Sequence, residues 1–294
     1  MKHIYYFNIT YGCNSQCVFC YSHHTRHGGE SWNDISFPTF CERIACVQPE
    51  DRVILNGGEP LLHPYFLDMV DVLRAKGCEV LIYTNGRLLS SLPLEHFTDH
   101  FRFILPWHGP VSIHDRITGI PGSQKDMQLG LVHMLPSKAR MELKIIINWE
   151  MLYGKPLKDA LQSLSAWPLS SLNAIHITKV ADTIVARSHH CPVVSEQESA
   201  HPTRRFFELC QYVGIPVKIF DTCVSELPLS GNALFHVAPF DVQFNDWKQQ
   251  RMIPLKESEN TCFPNCPHHK YCKSAVLGYT TLAYDHGQWE EDLE

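Results

Sequence analysis

Short apolar runs that alternate with amphipathic stretches constrain the fold of this chain more than any other feature. Residues 52–56 read R-V-I-L-N, residues 79–84 E-V-L-I-Y-T and residues 143–148 L-K-I-I-I-N. Such runs suit strands covered on both faces. Between the first two, His63–Lys76 sets Phe66, Leu67, Val70 and Leu73 at helical spacing, and Gly77 supplies a stop. The same reasoning predicts strands over His3–Ile9, Phe101–Leu105, Asn173–Lys179 and Ile215–Phe220. It predicts helices over Phe37–Val47, Met127–Leu135 and Arg204–Val213. Alternation of this kind argues for a parallel sheet of the α/β class. The pattern alone leaves open a curled partial barrel or an open doubly wound sheet. Residues 1–220 form the expected α/β domain. After Asp221 the rhythm stops and Pro, Asn and Cys become frequent, so residues 221–294 are expected to form a small separate region.

A chain of 294 residues with 44% hydrophobic content supports a full core. The net charge is −6 and no Lys/Arg block stands out, which argues against a nucleic-acid surface. No apolar stretch approaches the ~20 residues of a spanning helix. The start, Met1-Lys2-His3-Ile4-Tyr5-Tyr6-Phe7, reads as a strand and not a signal peptide. The expectation is a soluble cytoplasmic protein without a membrane partner.

Twelve cysteines then demand an account. In a reducing compartment, clustered cysteines bind metal more often than they form disulfides. Cys13-Asn-Ser-Gln-Cys17-Val-Phe-Cys20 falls in the loop after the first strand. Three thiolates this close suit three irons of a [4Fe–4S] cubane and leave the fourth open to a chelating ligand. Structural zinc takes four ligands, so the zinc alternative needs His23, His24 or His27. A second group, Cys262, Cys266 and Cys272, lies near the end, with Cys223 upstream. These four suit a fully ligated cluster or a zinc site, the latter also able to borrow His268 or His269. Cys41, Cys46, Cys78 and Cys210 read as core thiols. Cys191 reads as an exposed loop thiol, with hydrogen-atom donation as the alternative.

The first triplet, with Phe19 before its third cysteine, resembles the signature of the radical S-adenosylmethionine (SAM) superfamily. Asn56-Gly57-Gly58-Glu59-Pro60 after the second strand resembles that family's GGEP motif, and Thr84-Asn85-Gly86 ends the third strand as in many members. His108-Gly109-Pro110 through His114-Asp115-Arg116-Ile117-Thr118-Gly119 to Ser123 is similar to the segment after strand four in the branch with a C-terminal SPASM or twitch domain.

The resemblance implies a partial (β/α)6 TIM-like barrel with a twitch-like Fe–S region. It implies that Cys13, Cys17 and Cys20 hold a [4Fe–4S] cluster, that Phe19 lies against the SAM adenine, and that Gly57, Gly58 and Glu59 receive SAM. Cys223, Cys262, Cys266 and Cys272 would hold an auxiliary [4Fe–4S] cluster. Three features depart from the pattern. A serine often found at the end of strand four is replaced by Leu105-Pro106-Trp107-His108, the first gap of the second cysteine group is three residues where two is common, and no glycine pair follows Cys272.

Asn148 at the end of a strand is a candidate SAM contact or an ordinary strand-end residue. Trp107 and His108 are candidates to face substrate, because α/β barrels place their sites at the C-terminal ends of strands. Glu30, Trp32 and Asp115 take no assignment. The expected activity is reductive cleavage of SAM and hydrogen abstraction from a substrate. The branch suggests maturation of a ribosomally made peptide, with a separate recognition protein. The alternatives are a mutase, epimerase or dehydrogenase acting on a sugar, nucleoside or antibiotic precursor, and a zinc-stabilised binding protein without turnover. The radical reading implies an electron donor such as flavodoxin or ferredoxin.

Overall fold

The computed structural model describes residues 3–20, 34–180, 186, 190–219, 222, 227, 234–235, 241–246 and 251–254. Cys223, Cys262, Cys266, Cys272, His23, His24, His27, Glu30 and Trp32 lie outside them. The strands are β1 (His3–Thr10), β2 (Arg52–Gly57), β3 (Glu79–Tyr83), β4 (Phe101–Trp107), β5 (Arg140–Ile147), β6 (Ala174–Lys179) and β7 (Val217–Ile219), followed by β8 (Leu234–Phe235), β9 (Asp241–Asp246) and β10 (Arg251–Pro254). They form one sheet in the order β10-β9-β1-β2-β3-β4-β5-β6-β7-β8. Strands β1 to β7 pair in parallel with their sequence neighbours, as in an open partial barrel. Strand β9 adds in parallel beside β1, and β10 pairs with it antiparallel.

The sheet therefore runs on past position 221, where the strand–helix rhythm was expected to stop. Strand β9 reads D-V-Q-F-N-D, without the continuous apolar run that marks the earlier strands.

Six helices are described: α1 (Phe37–Arg43), α2 (Phe66–Lys76), α3 (Val111–Thr118), α4 (Ser123–Met134), α5 (Gly154–Ser165) and α6 (Glu196–Val213). Phe40 of α1, Met69 and Leu73 of α2, Leu131 of α4, Leu157 and Leu164 of α5 and Phe206 of α6 share one core with alternate strand residues. Those residues include Phe7, Leu55, Ile82, Phe103, Leu105, Leu143, Ile145 and Ile177. Period-two alternation puts the intervening residues on the opposite, inner face.

Helix α5 was not foreseen, although Leu157, Ala160 and Leu164 make a buried stripe; its opening Gly154-Lys155-Pro156 reads as a loop. Helix α6 starts at Glu196, eight residues before the expected Arg204. Ser195 and Glu198 form a capping box there, while Pro202 disguises the first turns. Among the described residues no helix is long and apolar enough to cross a membrane.

Candidate active site

The loop after β1, residues 11–20, carries Cys13, Cys17 and Cys20 at the C-terminal end of the sheet, all half-buried. Four other segments fix it. From β2, Gly58 N donates to Thr10 O (2.8 Å) and Glu59 N to Gly12 O (2.7 Å). From the turn after β3, Asn85 Nδ2 donates to Asn14 Oδ1 (2.6 Å) and Ser15 Oγ (3.3 Å), and the Arg87 guanidinium donates to Asn14 O. Arg87 is itself held by Asp126 on α4 (3.2 Å). From the end of α3, Thr118 O accepts from Gln16 N (2.8 Å) and Ile117 O from Val18 N (3.0 Å). Cys191 Sγ donates to Val18 O at 3.5 Å.

The two motif glycines have a local reason. A Cβ on Gly57 would lie 2.1 Å from Thr10 O, and one on Gly58 2.1 Å from Gly12 O. Both distances are far inside contact, and Gly57 also has φ +140°. Backbone-to-backbone approach between the β2 turn and the cysteine loop thus requires glycine at both positions.

Glu59 is fully buried and joins two strand ends. Its Oε1 accepts from Leu61 N (3.1 Å) and Thr84 Oγ1 (2.7 Å), and its Oε2 from Asn85 N (2.7 Å). Burial outweighs these hydrogen bonds and the charge of Arg87, and pushes the carboxyl up to about 7.

Phe19 packs edge-on against His108 (5.3 Å between ring centres) and Trp149 (6.3 Å). His108, at the end of β4, is 2% exposed, and its buried Nδ1 has no hydrogen-bond partner among the described residues. Burial, with lesser contributions from His114 and Lys144, holds its ring neutral. His114 lies 4.9 Å away; burial lowers it to about 4, and its Nδ1 accepts from His108 N at 3.4 Å.

Trp107 has a different place: it is fully buried against Phe206 in the core on the helix side. The expectation that it faces substrate together with His108 is corrected, because adjacent strand residues point to opposite faces. Asn148 is buried, with Nδ2 donating to His108 O (2.8 Å) and Ile146 O (3.2 Å) and Oδ1 accepting from Glu150 N (3.1 Å). It ties β5 to the end of β4. Asp115 caps α4 by accepting from Gly122 N (2.6 Å), Ser123 Oγ (2.9 Å) and Gln124 N (3.0 Å). Cys78 and Cys210 are core thiols, Cys41 is half-buried, Cys46 is exposed and Cys191 is buried. Cys46 and Cys191 thus reverse their expected exposures.

Sequence reasoning missed a ladder of charges across the inner face. Glu79 accepts from Arg52 (2.6 Å) and pairs with Arg102 (2.6 Å). Arg102 continues to Glu142 (2.9 Å), which also meets His176 (2.5 Å) and Lys218 (2.7 Å). Burial disfavours ionising Glu142, but the hydrogen bond from His176 and the Lys218 ammonium outweigh it and hold its carboxyl far below the ordinary range. Burial lowers His176 to about 4, leaving it a neutral donor. The signal in the sequence was a charged residue or a histidine early in each of the strands β2 to β7, where a buried ionisable group must be paired.

The cysteine loop fits the group its spacing suggests. Cys13 Sγ receives Ser15 N at 3.4 Å and Asn85 Nδ2 at 3.9 Å, donors that stabilise a thiolate. Among the described residues no three His, Cys, Asp or Glu converge as one metal ion requires. A cubane binds each thiolate through a different iron and does not require that convergence.

Residues 7–105 match the family model described as the Radical SAM superfamily, and this stretch contains the cysteine loop, Gly57-Gly58-Glu59 and Asn85. Residues 7–105 therefore resemble a radical SAM domain, a superfamily whose cofactors are a [4Fe–4S] cluster and SAM. It is 34% identical over 90 residues to a 7-carboxy-7-deazaguanine synthase of Halobacterium salinarum, covering 29% of this chain and 33% of that one. It is 27% identical over 153 residues to a tungsten-containing aldehyde ferredoxin oxidoreductase cofactor-modifying protein of Pyrococcus furiosus, covering 51% and 39%. The matched stretches thus span between about a third and two fifths of these relatives. Among solved structures, Streptococcus suis SuiB bound to S-adenosylmethionine superimposes with TM-score 0.59 at 10% identity, over 82% of this chain and 57% of that one. SuiB bound to precursor peptide SuiA gives 0.59 at 9%, over 82% and 56%. The anSMEcpe enzyme with bound AdoMet gives 0.55 at 13%, over 74% and 64%. At these identities the likeness is one of fold.

Proposed function

We propose that this chain is a radical SAM enzyme in which Cys13, Cys17 and Cys20 hold the cluster and the sheet's inner face takes the substrate. The observation that carries this is the cysteine loop pinned by Glu59, Asn85, Arg87 and the end of α3. When bound, the cluster and SAM supply one electron and a 5′-deoxyadenosyl radical able to take a hydrogen atom from an unreactive C–H bond. The protein binds, orients and excludes water. Gly57 and Gly58 let the β2 turn lie against the loop. Glu59 offers carboxylate oxygens to the SAM ammonium. Phe19 and His108 form a wall for the adenine. Asn148 fixes the end of β4 and remains a proposed SAM contact.

The proposed substrate is a ribosomally made peptide, presented with the help of a separate recognition protein and an electron donor such as flavodoxin or ferredoxin. The SuiB fold, solved with its precursor peptide, supports this reading. A small-molecule substrate is the second reading, favoured by the relative named for a deazaguanine product. Cys223, Cys262, Cys266 and Cys272 are proposed to hold a second cluster in a region spanning residues 221–294. Anaerobic reconstitution tests the metal assignments: about eight irons per chain fit two cubanes and about four fit one. Zinc in place of iron overturns the proposal. Mass spectrometry of a co-expressed neighbouring precursor peptide, unmodified in the presence of active enzyme, would favour the small molecule.

A further inference from the structure

The ring of Phe19 meets two neighbours at near right angles, His108 at 80° and Trp149 at 86° between planes. His108 brings a buried Nδ1 with no hydrogen-bond partner among the described residues. Trp149 is half-buried, resting in part on the helix-side core. Aromatic rings beside an unmet ring nitrogen suit a ligand with both a π face and a hydrogen-bonding edge, which is the chemistry of a nucleobase.

Trp149 opens a short 3-10 turn, residues 149–151, just after β5, and Asn148 caps that turn by accepting from Glu150 N. Glu150 reaches across to α3, where Arg116 donates from Nε to Oε1 at 3.0 Å and from a second guanidinium nitrogen to Oε2. A two-point fork of this kind fixes orientation as well as distance. The next two residues of α3, Ile117 and Thr118, carry the carbonyls that hold Val18 and Gln16 of the cysteine loop. One helix end therefore holds both partners of the Phe19–Trp149 contact. It holds the loop of Phe19 by backbone hydrogen bonds and the turn of Trp149 by an ion pair. The Arg116 side chain is 57% exposed. A pair that exposed adds little to stability, so its two-point geometry is better explained by the placement of Trp149.

We infer that Trp149 is a second aromatic wall of the adenine site and that the Arg116–Glu150 pair is its positioning device. This rests on the proposal that Phe19 and His108 face the SAM adenine, and adds the residue after β5 and the pair that sets it.

The test is isothermal titration of the anaerobically reconstituted full-length protein with SAM and, separately, with methionine, which lacks the adenine. Trp149→Ala should weaken SAM about five- to a hundred-fold, the loss of one base–aromatic stack, and leave methionine within about twofold. Trp149→Leu, which keeps bulk without the ring, backs it up, and Trp149→Phe should stay within about fivefold of wild type for SAM. Arg116→Glu and Glu150→Arg should each weaken SAM about three- to tenfold, and the double swap should recover most of that loss. Arg204→Ala, which breaks an exposed ion pair with Glu208 on α6, should not change binding. A melting temperature within about 4 °C of wild type shows that a variant folds. Wild type that binds no SAM sinks the radical reading itself. SAM bound equally by wild type and a folded Trp149→Ala or Trp149→Leu, or equal losses for SAM and methionine, overturns this inference alone. Single swaps that bind as wild type, or a double swap no better than the singles, overturn the positioning role of Arg116 and Glu150.

Discussion

The side chain of Asn85 reaches the sulfur of Cys13, with Nδ2 3.9 Å from Sγ. One amide at the end of β3 thereby links the cysteine loop to the same turn that Glu59 holds through the Asn85 backbone. Asn85→Leu keeps the backbone contact and removes the donors to Cys13, Asn14 and Ser15. It should cost about 1–3 kcal/mol of stability, measured by urea denaturation. Hydrogen bonds to cluster sulfurs favour the reduced form, so the variant's cluster should also show a lower reduction potential in an EPR-monitored titration.

The glycine pair makes a steric prediction. Gly58→Ala drives a methyl into Gly12 O, and backbone must move, which should cost about 3 kcal/mol or more. Gly77→Ala, with nothing within 4 Å of the new methyl but φ +69°, should cost about 1–2 kcal/mol. Equal losses in urea denaturation would mean that the loop does not depend on that close approach.

Glu59 predicts a pH dependence. Its folded value of about 7 lies above the ordinary 4.5. The folded state then holds a proton that the unfolded chain has released, so the contribution is complete below about pH 4.5 and is lost as pH rises through about 7. Glu59→Gln should flatten that part of the stability profile. SAM binding should show the opposite trend in wild type, tightening as pH rises through about 7 because the ammonium pairs with the ionised carboxylate. His108 and His114 stay neutral across that window. Isothermal titration of SAM at pH 6 and pH 8 measures the trend.

Glu142, 1% exposed and paired on three sides, predicts the largest loss. Glu142→Ala strands Lys218, removes one of the two carboxylates that hold Arg102, and should cost about 3–5 kcal/mol. Its folded value is depressed, so the wild-type contribution is present above the ordinary 4.5 and fades only as pH falls below it. Urea melts of both proteins at pH 7 and pH 4 should show the gap narrowing in acid.

The strands with continuous apolar runs, β2, β3 and β5, were legible because burial on both faces leaves that pattern. The cysteine loop and Gly57-Gly58-Glu59 were legible as motifs. The contacts joining them were not: Arg87 reaches Asn14 across 73 positions of chain, and no local pattern encodes such a meeting. The charge ladder escaped for the same reason, since its residues stand on six strands and pair only after the sheet forms. Trp107 was misplaced because position at a strand end indicates the site's end of the barrel, while parity decides the face.

The central claim is best tested by adding SAM and a strong reductant to the anaerobically reconstituted protein and measuring 5′-deoxyadenosine by mass spectrometry, beside a variant with Cys13, Cys17 and Cys20 all changed to Ala. The account predicts 5′-deoxyadenosine from the wild type and none above background from the variant. Equal amounts from both, or an iron-loaded wild type that leaves SAM intact with every reductant and candidate substrate offered, would contradict it.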